Sequence, residues 1–383
     1  MKSRKINEST FTIVSNGYAD GPAQALRDYL IKHKAKRVTT IAHPLVPEGD
    51  NLHIITEYAN GKKTEKSYRL PHKPPFTYPF DLVVPAIPKK TTVWFGFNNL
   101  AVLRGLEQRK WGRTDKVVYW AVDFFADRFG KDSLATKAYN AADKMAVKKS
   151  NARVELSPVG VTGRNEYLGL SADAIAPTQV VPMGAWLDRT PKVQKSAFKD
   201  KKVVYLGHLV ERQGVATLID AIKILVDDGE KVKAEIIGAG PLLEDLKKQA
   251  KDLGIEKNVT FHGFVKDHKD VESILASGML AAAPYKHEEN FVQFADAGKL
   301  KAYLGAGLPI VLTDVPNNAQ ELQKAGAAFV VDEDPKAFAK PLKTLLNDEK
   351  KWWAAQQSAM KVAKEFDWNV TLKKAMENIG IVE

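Results

Sequence analysis

The sequence predicts two α/β domains, each built on a Rossmann-like parallel sheet, and three observations lead there. Its 383 residues suffice for two cores at roughly 100–200 residues per domain. Short β-branched runs alternate with amphipathic stretches in both halves, the rhythm of βαβ units. A polar stretch without periodicity, residues 186–202, lies between them and reads as a linker. Domains are therefore expected over 1–190 and 200–364, with a C-terminal helix in 365–383 packing back on the first.

In the first half, residues 11–15 read as a strand, 17–21 as a glycine-bounded turn, and 22–33 as a helix with Pro in its first turn. Strands follow at 38–42, 52–58, 92–95 and 117–121. Residues 134–149 repeat apolar side chains every three or four positions, as a helix does. Residues 59–90 break the rhythm with prolines at 71, 74, 75, 79, 85 and 88, and read as an irregular excursion rich in basic and aromatic side chains.

The second half is more regular. Strands are expected at 203–206, 233–237, 259–261, 279–283, 309–312 and 328–331. Helices are expected at 216–227, 242–253, 270–276, 299–306 and 317–325. The tail, 349–379, reads as two helices broken near Phe366-Asp-Trp368.

Composition narrows the chemistry. Hydrophobic and charged fractions of 44% and 27% are those of a globular protein. The absence of cysteine excludes disulfides, thiol nucleophiles and thiolate metal sites. No apolar run approaches the length of a signal core or a membrane span. Residues 1–190 carry 29 Lys+Arg against 18 Asp+Glu, whereas the remainder is balanced at 28 each. The basic half lacks a nucleic-acid reading signature and suits anionic headgroups or a phosphate-bearing substrate.

Two facing open sheets would gather the carboxyl ends of their strands around an interdomain cleft, where α/β proteins bind ligands. The loops there include Gly207–Gly214, Gly238-Ala-Gly-Pro241, 261–265, Pro284-Tyr285 and the helix start at Ala297-Gly298-Lys299. Glycines let amides approach a diphosphate, and a helix N-terminus adds about half a positive charge.

Five segments carry a resemblance. They are Tyr205-Leu-Gly-His-Leu-Val-Glu-Arg-Gln-Gly214, Thr217-Leu-Ile-Asp-Ala221, Ile236-Ile-Gly-Ala-Gly-Pro-Leu242, Asn258-Val-Thr-Phe-His-Gly-Phe264 and Lys299-Leu-Lys-Ala-Tyr-Leu-Gly-Ala-Gly-Leu-Pro309. In this order and spacing they resemble the C-terminal domain of GT-B glycosyltransferases of family 4. Val180-Val-Pro-Met-Gly184 resembles the strand and turn that close the first domain there.

The resemblance implies a nucleotide-sugar donor, expected to be UDP-linked, and no cofactor or metal. The main chain at Phe264 and Val265 would pair with the base, Gly207, Gly238 and Gly298-Lys299-Leu300 would face the diphosphate, and Tyr285 would stack on base or ribose. His208 and Gln213 stand where the family usually has Arg and Lys. Its two glutamates, eight positions apart, correspond to Phe294 and Ala302 here, with Glu288 or Glu289 as a replacement for the first.

The Lys-Leu-x-x-Tyr-x-x-x-Gly-Leu-Pro pattern also resembles xanthan-type bacterial glucuronosyltransferases, which are inverting and metal-independent and use an Asp at a strand end as base. Val117-Val-Tyr-Trp-Ala-Val-Asp-Phe-Phe125 puts Asp123 in that position, among aromatic side chains that would desolvate it. Asp127 and Asp20 are the next candidates. Gly17, Asp20 and Arg128 are the acceptor-side candidates.

The expected acceptor is a saccharide, lipid-linked or belonging to a growing surface polysaccharide. The expected location is cytoplasmic or peripheral on a membrane's inner face. A non-catalytic sugar-nucleotide-binding subunit and a GT-B epimerase remain alternatives. Asp332-Glu-Asp334 reads as a helix start rather than a metal site, and the eight histidines show no His-x-x-x-His spacing for zinc.

Overall fold

The computed structural model describes residues 3–17, 21–45, 51–70, 73–74, 76–83, 89–171, 174–287 and 296–383, with only the backbone of Pro79. It divides into Met1–Pro182 with Thr371–Glu383, and Met183–Val370. The division thus falls before residues 186–202, which count wholly with the second unit. There the Val193 amide bonds to the Ala306 carbonyl, and the Gln356 side chain to the Val193 carbonyl.

The first unit contains β1 (Arg4–Lys5), β2 (Thr10–Asn16), β3 (Arg37–His43), β4 (Leu52–Ala59), β5 (Lys62–Arg69), β6 (Thr91–Gly96), β7 (Thr114–Ala121), β8 (Ala152–Glu155) and β9 (Thr178–Val180). Eight of these form one sheet in the order β5-β4-β3-β2-β6-β7-β8-β9. From β3 through β9 the pairs are parallel, whereas β3–β4 and β4–β5 are antiparallel. The expected βαβ rhythm is therefore corrected at this flank, and so is the irregular reading of 59–69. Asn60 and Gly61 both have positive φ, 51° and 71°, and close a two-residue hairpin of the Asn-Gly kind.

The helix Leu134–Lys149 forms as its periodicity predicts, with Ser133 capping the Thr136 amide. The C-terminal helix Trp368–Asn378 leads to a short strand (Ile381–Val382) that pairs with β1.

In the second unit, β10 (Lys202–Leu206), β11 (Lys233–Ile237), β12 (Val259–Gly263), β13 (Leu280–Ala283), β14 (Ile310–Thr313) and β15 (Ala328–Val331) form a wholly parallel sheet, ordered β12-β11-β10-β13-β14-β15. Its middle strands are buried on both faces, so Val203, Val204, Ile236, Ala281, Ala282, Val311 and Leu312 are almost fully enclosed. Asp334 caps the Ala337 amide of the helix Pro335–Asn347, as the helix-start reading of that acidic run requires.

Helix Glu349–Ala363 is pinned to this sheet by Trp352, fully buried, whose indole N–H donates to the Met279 carbonyl at 2.9 Å. Trp352→Ala should lower unfolding free energy by about 3–5 kcal/mol, because a large cavity opens and a carbonyl loses its partner. Urea denaturation against wild type measures it.

Candidate functional site

At the carboxyl edge of the second sheet the loops touch one another through glycines. Gly207 follows β10 at φ 152°, Gly238 follows β11 at φ 143°, and Gly214 precedes the helix Val215–Asp227 at φ 66°. A Cβ on Gly238 would lie 1.9 Å from the Gly207 carbonyl, and one on Gly214 would lie 1.7 Å from the Pro284 carbonyl. Only glycine permits this approach.

Helix Gly298–Ala306 begins beside these loops and presents its first amides without intrahelical partners. Its Lys299 ammonium lies 4.4 Å from the Tyr205 ring centroid and 4.5 Å from that of Tyr285, and donates to the Gln213 carbonyl oxygen. A Cβ on Gly207 would sit 3.0 Å from the same nitrogen, so the glycine leaves room for a charge-bearing ligand atom there. Loss of water lowers the Lys299 pKa to about 7. Gln213, standing where the resembling family has a basic residue, is thus the acceptor that steadies Lys299.

Two donor-side expectations need correction. Tyr285 is 2% exposed, with its carbonyl taken by the Thr313 hydroxyl, so its ring walls Lys299 and is not offered to a base. The Leu300 side chain is fully buried, and its amide already donates to the Ala297 carbonyl, so neither is offered to a ligand. Phe264 is 78% exposed, Val265 is half-buried, and His208 is exposed beside Gly207. Ala302 packs against the core rather than facing a ligand. Asp20, Glu288, Glu289 and Phe294 lie outside the described residues.

In the first unit, Asp123 follows β7. Its carboxylate is 41% exposed and pairs with Arg128 at 2.7 Å, and its main-chain carbonyl accepts from Arg164. The expected aromatic enclosure is therefore corrected. Trp120 stacks on Phe97 inside the core, and Phe124 lies under the Arg164 guanidinium. Arg164 is itself buried between Asp143 and Glu155, and Arg153 joins the same Glu155. Asp127 is held by Tyr167, whose hydroxyl donates to its carboxylate at 2.7 Å. Gly17, at φ 88°, bonds through its amide to the His43 carbonyl.

One constellation escaped the sequence reading. His43, His53 and Asp81 are brought together where β3 meets β4. The signal was present: Ala42 faces Ile54 across an antiparallel pair, which puts His43 opposite His53 despite their spacing of ten.

The family described as "Glycosyl transferases group 1" matches residues 200–348. The GDP-mannose-dependent alpha-(1-6)-phosphatidylinositol dimannoside mannosyltransferase of Mycobacterium tuberculosis is 26% identical over 178 residues, 46% of this chain and 43% of that protein. The N-acetylgalactosamine-N,N'-diacetylbacillosaminyl-diphospho-undecaprenol 4-alpha-N-acetylgalactosaminyltransferase of Campylobacter jejuni is 29% identical over 181 residues, 45% of this chain and 44% of that one. The matches thus span less than half the length of these relatives. The sucrose-phosphate synthase of Thermosynechococcus elongatus superposes with a TM-score of 0.73 at 13% identity, covering 97% of this chain and 98% of that one. The fold is accordingly that of GT-B glycosyltransferases.

The Lys299 charge gives a pH prediction. A lysine whose folded pKa lies below its unfolded value costs stability at and below the folded pKa, and that cost fades as pH rises towards the unfolded one. Lys299→Met should therefore gain most on wild type near pH 7 and progressively less towards pH 10, in melting temperatures taken across that range.

Proposed function

We propose that this chain is a glycosyltransferase that moves a hexosyl or glucuronosyl group from a nucleotide sugar to a saccharide acceptor. The second unit takes the donor. The observation that carries this reading is the grouping of Gly207, Gly238 and the Gly298-Lys299 helix start at one sheet edge, within the stretch matched by the group 1 family. Amides and one ammonium there suit a diphosphate, and with that positive charge supplied by protein the leaving group needs no metal.

UDP is the first nucleotide to try, with GDP as the second arm because one relative is named for GDP-mannose. The first unit takes the acceptor, with Gly17, Asp20 and Arg128 on its side. Asp123 serves as the base that receives the acceptor hydroxyl's proton, its loop held from beneath by Arg164. Asp123→Asn should cut turnover about 10²-fold with little change in nucleotide affinity. Lys299→Ala should weaken donor binding by roughly 10–100-fold, the worth of one hydrogen bond to a charged group. Calorimetry with UDP and GDP, and release of nucleoside diphosphate from the corresponding sugars, measure both. Binding without release would make the chain a sugar-nucleotide-binding subunit instead.

The acceptor is lipid-linked in this reading, since both relatives named above carry a lipid in their names. The first unit also offers an anionic surface a matching face. Strand β5 is exposed throughout and carries Lys62, Lys63, Lys66 and Arg69, while Phe76 and Val83 beyond it are 76% and 57% exposed. No helix among the described residues is long and apolar enough to cross a membrane, so contact would be peripheral. Sedimentation with anionic vesicles should fall sharply when Lys62, Lys63, Lys66, Arg69, Lys73, Lys89 and Lys90 become Ser. Unchanged binding would remove the excursion from that role.

A further inference from the structure

Three side chains from separate stretches converge where β3 ends. His43 is its last residue, His53 lies at the start of β4, and Asp81 sits in the turn Tyr78–Leu82 of the proline-rich excursion. They are 1%, 0% and 2% exposed. The two Nδ1 atoms lie 2.7 Å apart, and Asp81 Oδ1 is 3.4 Å from His43 Nδ1 and 3.8 Å from His53 Nδ1.

Three polar atoms of the cluster are short of partners. Asp81 Oδ1 and both Nε2 atoms have no hydrogen-bond partner among the described residues. An orphaned buried carboxylate oxygen facing two ring nitrogens is costly unless something joins them.

We propose that His43, His53 and Asp81 bind one divalent transition-metal ion, zinc by preference, which fastens the proline-rich excursion to the end of the sheet. Ligand bonds of about 2.0–2.2 Å in a tetrahedron set neighbouring donor atoms roughly 3.3 Å apart. The three observed separations bracket that edge. Two imidazoles and one carboxylate suit zinc or iron(II), whereas calcium and magnesium ask for oxygen alone.

The surroundings fit. Burial, with the His53 ring and Arg104 adding to it, lowers the His43 pKa to about 3, and burial lowers that of His53 as well, so both rings are in the neutral, donating form at pH 7. Burial also raises the Asp81 pKa to about 7, a shift that a bound cation would reverse. The second Asp81 oxygen accepts from the Asn16 amide at 2.9 Å, and Asn98 in turn donates to Asn16, an outer layer that aims the carboxylate. Arg104 is the opposing charge, and it donates to the Asp81 main-chain carbonyl rather than to the carboxylate.

The site is independent of the sugar-transfer reading, and its test needs no activity. Chelator-stripped full-length protein is titrated with Co²⁺ and then with Zn²⁺. Visible ligand-field bands of a tetrahedral cobalt site should appear, saturate at about one equivalent per chain, and bleach as zinc displaces cobalt. Zinc should also raise the melting temperature and survive desalting. Asp81→Asn and His53→Gln should each weaken uptake by roughly tenfold or more, whereas His287→Gln, at an exposed histidine, should leave it unchanged.

Absence of tetrahedral bands in wild type would overturn the proposal, and the cluster would then be an acid–imidazole contact only. Uptake undiminished in both site variants would overturn it equally. Should the variants not fold, the wild-type cobalt spectrum decides alone.

Discussion

The second unit turns on an ammonium with too few partners. Lys299 has two ring faces, one amide oxygen and a long contact to the Tyr205 hydroxyl where water would supply several acceptors, and its lowered pKa records that deficit. An anion arriving at Gly207 would relieve that deficit. The glycines serve the same end. Side chains at 207, 214 or 238 would separate loops that must touch to leave Lys299 half-buried.

The sheet beneath is tied to that helix through Tyr303. Its hydroxyl accepts from the Leu206 amide at 2.7 Å and reaches the Ala282 carbonyl at 3.2 Å, so one buried phenol spans the ends of β10 and β13. In the first unit the comparable anchor is Arg164. It is saturated by Asp143 and Glu155, and it reaches the loop after β7 through the Asp123 main-chain carbonyl and the Phe124 ring. The direction of that loop is thus set by the core beneath it.

Legibility followed from what each element buries. In the second half the strands are continuous apolar runs and the helices amphipathic, so 233–237 and 328–331 were readable to the residue and the others to within one or two. The first half hides some of its elements, although helix Leu134–Lys149 was readable to the residue. Strand β8 is Ala-Arg-Val-Glu, wholly buried yet half charged, because its Arg and Glu satisfy one another. Helix Asn99–Lys110 buries Asn99, Arg104 and Gln108, which inverts the pattern that would announce it. The glycine loops after β10 and β11 were visible because glycine spacing is a backbone property. The enclosure of Tyr285 was not, since it depends on side-chain direction after folding.

Among the described residues, the hairpin closed by Asn60-Gly61 leaves β5 as the outermost strand of an eight-stranded sheet. Such a border invites another chain to continue the ladder. Four cations in eight residues would make two such borders repel one another, so the lysines that make this strand look unlike a strand also work against edge-to-edge pairing.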